Sequence, residues 1–259
     1  MEKLRLLIKD LLFPGIDLVI RQRGKVLMKY LLPNRRTLDA GCGNGYFCFM
    51  AYKHGNEVLG ISIDEAQINR CIAFRDCKGY PADKVRFKVL NLYDLDKLNE
   101  TFDQIICLET LEHILYDEKV LKLFYERLND NGRLYLGVPN ANRPWFFGGK
   151  VSQFEDGGHV RWGYTYEQLE EMLSKIGFRI IAEDKYGGGM TRRLVSISRR
   201  VHTWFEAIGF RDKKFSILLG VSFFLLFYPL TYFDAFLNEE PMSIFVVAQK
   251  ESGGVYTTG

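Results

Sequence analysis

Residues Leu38-Asp39-Ala40-Gly41-Cys42-Gly43-Asn44-Gly45 hold the densest chemistry in the chain. A short strand ending Thr37-Leu38 runs into a carboxylate, then a Gly-x-Gly-x-Gly turn, then a helical pattern from Tyr46. Glycines let a backbone turn sharply and come into contact with a bound molecule. The helix start offers N–H groups without intrahelical partners. Asp39 ahead of the glycines disfavours a phosphate and suits a ligand with an ammonium group and ribose hydroxyls. Such a turn taken alone also closes ordinary βα units that bind nothing.

The elements that position this turn follow from periodicity. Strands are predicted at Arg36–Asp39, Glu57–Ile63, Val85–Leu90, Gln104–Leu108 and Arg133–Val138, and helices at Tyr46–His54, Glu65–Lys78, Glu118–Leu128 and Tyr166–Ile176. Glu57–Ile63 and Gln104–Leu108 are near-continuous apolar runs, as parallel strands covered on both faces require. Alternating strands and helices imply an open α/β sheet with ligands at the carboxyl ends of the strands. Two more strands are predicted, at Phe178–Ala182 and Ile244–Gln249, and two helices precede the first strand, an amphipathic one over Met1–Phe13 and one over Ile16–Leu32.

With 259 residues, 47% of them hydrophobic and 26% charged, the chain reads as globular. A net charge of +3 is too small to argue for nucleic acid. Cys42, Cys48, Cys71, Cys77 and Cys107 lack zinc-type spacing and read as small buried hydrophobes in a reducing cytoplasm, so no metal is expected. Lys3, Arg5, Lys9 and Asp10 interrupt the first apolar residues, which therefore do not read as a secretory signal.

Taken together, several motifs resemble those of class I S-adenosylmethionine (SAM)-dependent methyltransferases. They span roughly Arg36 to Gly177 and resume near Ile244–Lys250. Asp39 to Gly45 is similar to the first SAM motif, and Asp64 to the acid that holds the ribose hydroxyls. Val89-Leu90-Asn91-Leu92-Tyr93-Asp94 resembles the adenine-edge motif, with Asn91 where the family usually has Asp. Phe102 to Glu109 with Leu111-Glu112-His113 resembles the fourth-strand motif, and Gly132 to Asn140 the fifth. A nicotinamide-binding Rossmann fingerprint fits less well, because its third glycine would fall at Tyr46.

The resemblance implies a Rossmann-like, seven-stranded, mostly parallel sheet. It implies SAM as cofactor, contacted by Asp39, Gly41, Cys42, Gly43, Gly45, Asp64, Asn91, Leu92, Leu108 and Glu109. Transfer from an activated methyl needs in-line alignment and exclusion of water, and a general base when the acceptor is a hydroxyl. His113, after the fourth strand, and His159 are the candidates; each can instead pin backbone. His159 lies in Glu155-Asp156-Gly157-Gly158-His159-Val160-Arg161-Trp162-Gly163-Tyr164-Thr165, which resembles the loop of quinone and glycan O-methyltransferases. Trp145, Phe146, Phe147, Trp162 and Tyr164 are the aromatics that can wall an apolar acceptor pocket, or simply pack.

One segment departs from this pattern. Between the last two strands lie an amphipathic helix pattern with arginines and then Phe215–Phe233, an apolar run without a charged side chain. It is long enough for a bilayer core, but a single crossing would put the final strand on the wrong side of the membrane. A monotopic hairpin broken near Pro229, a cap over the site and a dimer interface remain. The expected organisation is amphipathic helices over 1–33, a SAM-binding core over 34–186, a basic and apolar helical insertion over 187–242, the last strand over 243–250 and a tail over 251–259.

The reading is a cytoplasmic methyltransferase acting on a hydroxyl of a lipid or lipid-linked acceptor. It includes peripheral attachment to the inner face of the membrane through residues 192–233 and the N-terminal helix, and it leaves homo-oligomerisation open. The alternatives are a soluble small-molecule or sugar-nucleotide acceptor with the insertion as a cap, and a non-catalytic SAM-binding or membrane-interaction protein.

Overall fold

A computed structural model describes residues 18–144, 151–209 and 213–251. The predicted first helix, the aromatics Trp145, Phe146 and Phe147, and most of the predicted tail lie outside them.

The described chain runs α1 (Leu18–Tyr30), β1 (Arg36–Ala40), α2 (Tyr46–Lys53), β2 (Glu57–Ser62), α3 (Glu65–Cys77), β3 (Val85–Val89), β4 (Phe102–Leu108), α4 (Asp117–Arg127), β5 (Leu128–Pro139), α5 (Tyr166–Ile176), β6 (Phe178–Tyr186), α6 (Gly189–Ala207), α7 (Lys213–Phe227) and β7 (Ser243–Lys250). Short 3-10 turns at Leu92–Lys97, Leu111–His113 and Tyr228–Phe236 complete it. The seven strands lie in the order β3-β2-β1-β4-β5-β7-β6. All pairs are parallel except those of β7, which is antiparallel to β5 and to β6.

Strand periodicity divides the core into two layers. Leu59 and Ile61, Ile105 and Cys107, and Leu134 and Leu136 face one layer, with α4 and α5. Val58, Ile106, Tyr135, Phe245 and Val247 face the other, with Val19 and Leu27 of α1 and Cys48 of α2. Successive side chains leave a strand on opposite faces. A strand covered on both faces is therefore apolar throughout, which is why β2 and β4 read as continuous runs. Gly60 on β2 has no Cβ, and one there would stand 2.6 Å from the Cys48 sulfur, so its absence lets α2 settle on the sheet.

Local chemistry sets the helix ends. Asp64 caps α3 by accepting from the Gln67 amide at 3.0 Å. Thr165 and Gln168 form a reciprocal capping box on α5, which Gly177 ends in a left-handed conformation. Gln104, fully buried at the amino edge of β4, ties the start of the sheet to α1. Its oxygen accepts from the Leu32 amide (3.2 Å) and the Tyr135 hydroxyl (3.0 Å), and its nitrogen donates to the Leu32 carbonyl and the Thr37 hydroxyl (2.9 Å each).

The chain reverses its direction of winding between β1 and β4, which are neighbours. In open α/β sheets ligands lie in the crevice outside the strand ends at such a point. The insertion between β6 and β7 opens onto the same edge. Tyr186 is in register with Ser243, and Ser243 in turn with Pro139 at the end of β5. Asp234 holds it down, accepting from the Thr191 amide (3.0 Å), the Thr191 hydroxyl (2.5 Å) and the Gln22 amide of α1 (3.1 Å).

Candidate active site

The glycine turn crosses the carboxyl ends of β1 and β2. The Gly41 and Cys42 amides both donate to the Ile61 carbonyl, at 3.0 and 2.9 Å. Gly41, Gly43 and Gly45 all have positive φ, at 83°, 53° and 77°, a region that favours glycine. Their surroundings differ. A Cβ at Gly41 would stand 2.5 Å from the Thr110 hydroxyl, and one at Gly45 2.9 Å from the Phe49 ring, whereas one at Gly43 would meet nothing within 4 Å. Gly43 is thus where the turn opens on the crevice, the cradle that a SAM-sized ligand requires.

Asp39, Cys42, Leu92 and Leu108 lie beneath this surface, each at most 6% exposed. Asp39 accepts from the Cys48 thiol at 3.0 Å, and burial pushes its carboxyl up to about 6. It therefore supports the turn from inside, and the Leu92 side chain packs in the core. Asp64 and Asn91 stand at the ends of β2 and β3. Each spends one side-chain oxygen on a cap, Asp64 on the Gln67 amide and Asn91 on the Tyr93 amide at 3.0 Å. Between Ser62 and Asp64, Ile63 is 71% exposed, an apolar surface at the crevice suited to a flat heterocycle. Sequence reasoning missed it by counting it into the strand; its signal is an apolar residue directly before the ribose-type acid.

Glu109 follows β4 at φ 50°, unusual for a non-glycine residue. Its Oε1 accepts from the Tyr186 hydroxyl at 2.7 Å, its Oε2 lies 3.7 Å from the Arg23 guanidinium, and Arg23 stacks over the Tyr186 ring. This joins α1 and β6 to the floor of the crevice.

The two candidate histidines, distant in sequence, meet. The rings of His113 and His159 pack edge to face, with centroids 4.7 Å apart. His113 Nδ1 donates to the Gly158 carbonyl at 2.9 Å. A carbonyl only accepts, so Nδ1 carries a proton and Nε2 is the ring nitrogen on the other side. That atom stands 3.8 Å from Glu112. The loop is fixed on both sides of His159: Val160 donates to the Glu112 carbonyl and Ser152 to the His159 carbonyl. Burial, reinforced by His113 and Arg143 nearby, lowers the His159 pKa below 6.5, which leaves a neutral imidazole at pH 7.

Glu112 and Arg143 went unrecognised in the sequence. Glu112 is 1% exposed, one of its oxygens has no hydrogen-bond partner, and burial next to Glu109 raises its pKa well above the carboxylate range. Its position inside an apolar motif was the available signal. The donor atoms of Glu112, His113 and His159 lie within 4.8 Å of one another, a set that can take a divalent cation, although the sequence reading expected none. Arg143 reaches the same group from the end of β5, and nothing in the sequence marked it.

The acceptor-side aromatics separate. Trp162 is 46% exposed. Tyr164 is buried, donates to Asp117 at 2.7 Å and bridges backbone to Asn140 and its neighbours, so it fixes the loop and presents no ring face to an acceptor. That corrects its expected place in the pocket wall. Trp145 and Phe146 fall outside the described residues.

The sheet order, the antiparallel seventh strand and the glycine turn at the switch point define a Rossmann-like methyltransferase fold. A family model described as a methyltransferase domain matches residues 16–183. The chain belongs to this family, among the class I SAM-dependent methyltransferases. It is similar to the ubiquinone biosynthesis O-methyltransferase of Coxiella burnetii (strain Dugway 5J108-111), at 27% identity over 122 residues, 45% of this chain and 51% of that one. The chain thus spans about half the length of the curated relatives it matches. Among solved structures it is similar to the [4+2]-cyclase SpnF, with TM-score 0.62 and 17% identity over 90% of this chain and 81% of that one. A SAM-dependent methyltransferase from Mesorhizobium loti gives 0.58 and 18%, over 91% and 100%. At these identities the structural likeness is one of fold.

Proposed function

We propose that the protein transfers a methyl group from SAM to a hydroxyl of a lipid or lipid-linked acceptor, which it meets at the inner face of a membrane. When bound, SAM supplies a methyl already activated on a sulfonium. The chain holds it with the turn at Gly41, Gly43 and Gly45, with the Asp64 oxygen left over from the helix cap for the ribose, and with Ile63 and Asn91 at the heterocycle. Asp39, Cys42, Leu92 and Leu108 shape the floor, and Glu109 completes it from β4.

The observation that carries the acceptor side is the His113–His159 pair at the carboxyl edge of β4 and β5. A hydroxyl loses its proton as its oxygen takes the methyl. His159, neutral at pH 7, is the base that receives it. His113 fixes the loop carrying His159, and Trp162 flanks the entry. The relative named as a ubiquinone O-methyltransferase supports an oxygen acceptor. The exposed apolar insertion on the same edge supports a lipid over a sugar nucleotide.

The test is His159→Ala, assayed with labelled SAM on lipid extracts. Turnover is expected to fall by about 10²–10⁴-fold with SAM affinity unchanged by calorimetry. Full turnover in the variant removes His159 as the base, and no binding of SAM by the wild type overturns the whole reading. A second reading rests on the donor set of Glu112, His113 and His159. In it these three residues would hold a divalent cation, whose chemistry would be to lower the pKa of the acceptor hydroxyl; dialysis against a chelator would then abolish turnover, and added metal would restore it.

A further inference from the structure

The segment Leu218–Phe236 is apolar through its 19 residues, yet only 11% of its most apolar 18-residue stretch is buried. Helices of this composition in soluble cores are covered; this one is not. Leu218, Leu225, Leu226, Tyr232, Phe233 and Phe236 are all more than half exposed and follow one another along α7 and the 3-10 turn after it. Exposed apolar surface of this extent marks an interaction site.

Three observations say what covers it. The first is charge. Between Met190 and Lys214 the chain carries seven basic residues (Arg192, Arg193, Arg199, Arg200, Arg211, Lys213 and Lys214) against two acidic ones (Glu206 and Asp212). Arg192 and Arg193 are ion-paired to Glu239, with Arg192 buried, whereas Arg199 and Arg200 are exposed on α6 and carry the basic face. The second is the boundary of the apolar face. Lys25 of α1 donates to the Tyr232 hydroxyl at 2.8 Å and sits over the Tyr232 and Tyr228 rings at 4.5 and 5.5 Å. Exposed Trp204 stands on α6. Amphipathic aromatic rings with cations beside them are what a lipid headgroup layer favours, apolar body inward and charge outward. The third is topology. The helix changes to a 3-10 turn at Tyr228-Pro229, and both ends of the insertion return to one sheet edge, through the Tyr186–Ser243 register, so a single crossing would part β7 from its sheet.

We infer that the outer face of α7 and the Tyr228–Phe236 turn is a docking surface for an anionic lipid bilayer, entered from one side and lying within one leaflet. This deepens the lipid-acceptor reading and rests on it only for what is delivered. The geometry connects the two. The segment after the docking face returns beside the acceptor side of the crevice: the Asn140 amide donates to Glu240 (2.9 Å) and the Pro241 carbonyl (3.2 Å), and Arg143 donates to the Met242 carbonyl (3.3 Å). An acceptor leaving the leaflet along this face reaches the His159 side of the crevice at the same edge of the sheet.

The experiment is flotation of the full chain with vesicles of equal parts phosphatidylglycerol and phosphatidylcholine, and with phosphatidylcholine alone. The expected result is flotation with the anionic vesicles, weakened by high salt. Partition should fall on the order of tenfold or more in the double variant Leu225→Asp/Leu226→Asp. SAM affinity, read by calorimetry, confirms that the variant is folded; if it is not, Phe236→Asp in the 3-10 turn replaces it. Wild-type protein that stays at the bottom of the gradient overturns the inference, as does a folded variant that floats like wild type. A stable dimer in sedimentation velocity that dissociates in the double variant, with no flotation, assigns the face to a second copy and also overturns it. Lipid extracts dispersed in detergent separate the two readings. Labelled lipid without flotation leaves the acceptor reading standing alone, and flotation without labelled lipid leaves the docking surface standing alone.

Discussion

His159 and Asp39 lose water for the same reason and respond alike, each favouring its neutral form. For His159 this means a pKa below 6.5, so the imidazole is free to accept a proton throughout the neutral range. The rate of transfer is therefore expected to be flat near pH 7–8 and to fall tenfold per pH unit on the acid side, below 6.5. A pH–rate profile checks this, and the acid limb should vanish from the residual activity of His159→Ala. For Asp39 the carboxyl, ordinarily near 3.8, is raised to about 6. The folded state thus holds this proton more tightly than the unfolded chain, so the burial penalty is present above pH 6 and disappears as pH falls through 6 toward 3.8. At about 1.4 kcal/mol per pKa unit the full penalty is about 3 kcal/mol. Asp39→Asn is expected to raise unfolding stability at pH 7.5 by up to that amount, with no gain at pH 4, in urea titrations at the two pH values. The type and position of Asp39 were plain in the sequence. Its place under the turn was not, because that depends on where α2 sets the Cys48 thiol. Tyr164 illustrates the same limit: an aromatic next to a candidate base looks like a pocket wall until Asp117, far off in the chain, is seen to take its hydroxyl.

At the scale of the element, the glycine turn contains its own control. Gly41 and Gly43 both need positive φ, but only Gly41 is hemmed in, by Thr110. Gly41→Ala is expected to destabilise the fold by about 2 kcal/mol or more, from backbone strain and the clash together. Gly43→Ala should cost about 1 kcal/mol of strain, while its methyl projects into the crevice and weakens SAM binding more than tenfold. Thermal melts and calorimetry on the two variants separate folding from binding, and equal effects on both quantities would contradict the placement of Gly43. Elements of regular period were legible: α5 runs over the predicted residues, and the other core strands and helices shift by a residue or a few. The larger departures have physical causes. β5 begins at Leu128, directly after α4, because pairing with Phe102 extends it past the polar stretch around Asn131, which sequence patterning reads as loop. β6 runs on to Tyr186 because β7 pairs with it along its whole length, a tertiary fact absent from the local pattern. The apolar run divides at Tyr228-Pro229, where Pro229 cannot donate to the helical ladder, the position at which the hairpin alternative placed its break.

For the molecule as a whole, the proposed reaction separates two duties. In it the strands β1 to β4 and their turns make the donor side of the crevice, and β5, the loop after it and the insertion make the acceptor side. The separation gives a prediction about assembly. Among the described residues β6 pairs only with β7, and β7 lies between β5 and β6. A chain ending at Met242 lacks β7 and is therefore expected to release the edge strand β6 as well, and limited proteolysis should then cut within Phe178–Tyr186, which the full chain protects. Protection of that stretch in the shortened chain would show that β6 is held by other contacts.

The same strand order carries a consequence for biosynthesis. Translation delivers β6 first, then the apolar insertion, and only afterwards the strand that closes the sheet. On the ribosome, β6 thus emerges before the strand that will hold it exists. Were the insertion docked on a bilayer as proposed, attachment would precede completion of the fold, with β7 zipping β6 onto the finished half of the sheet.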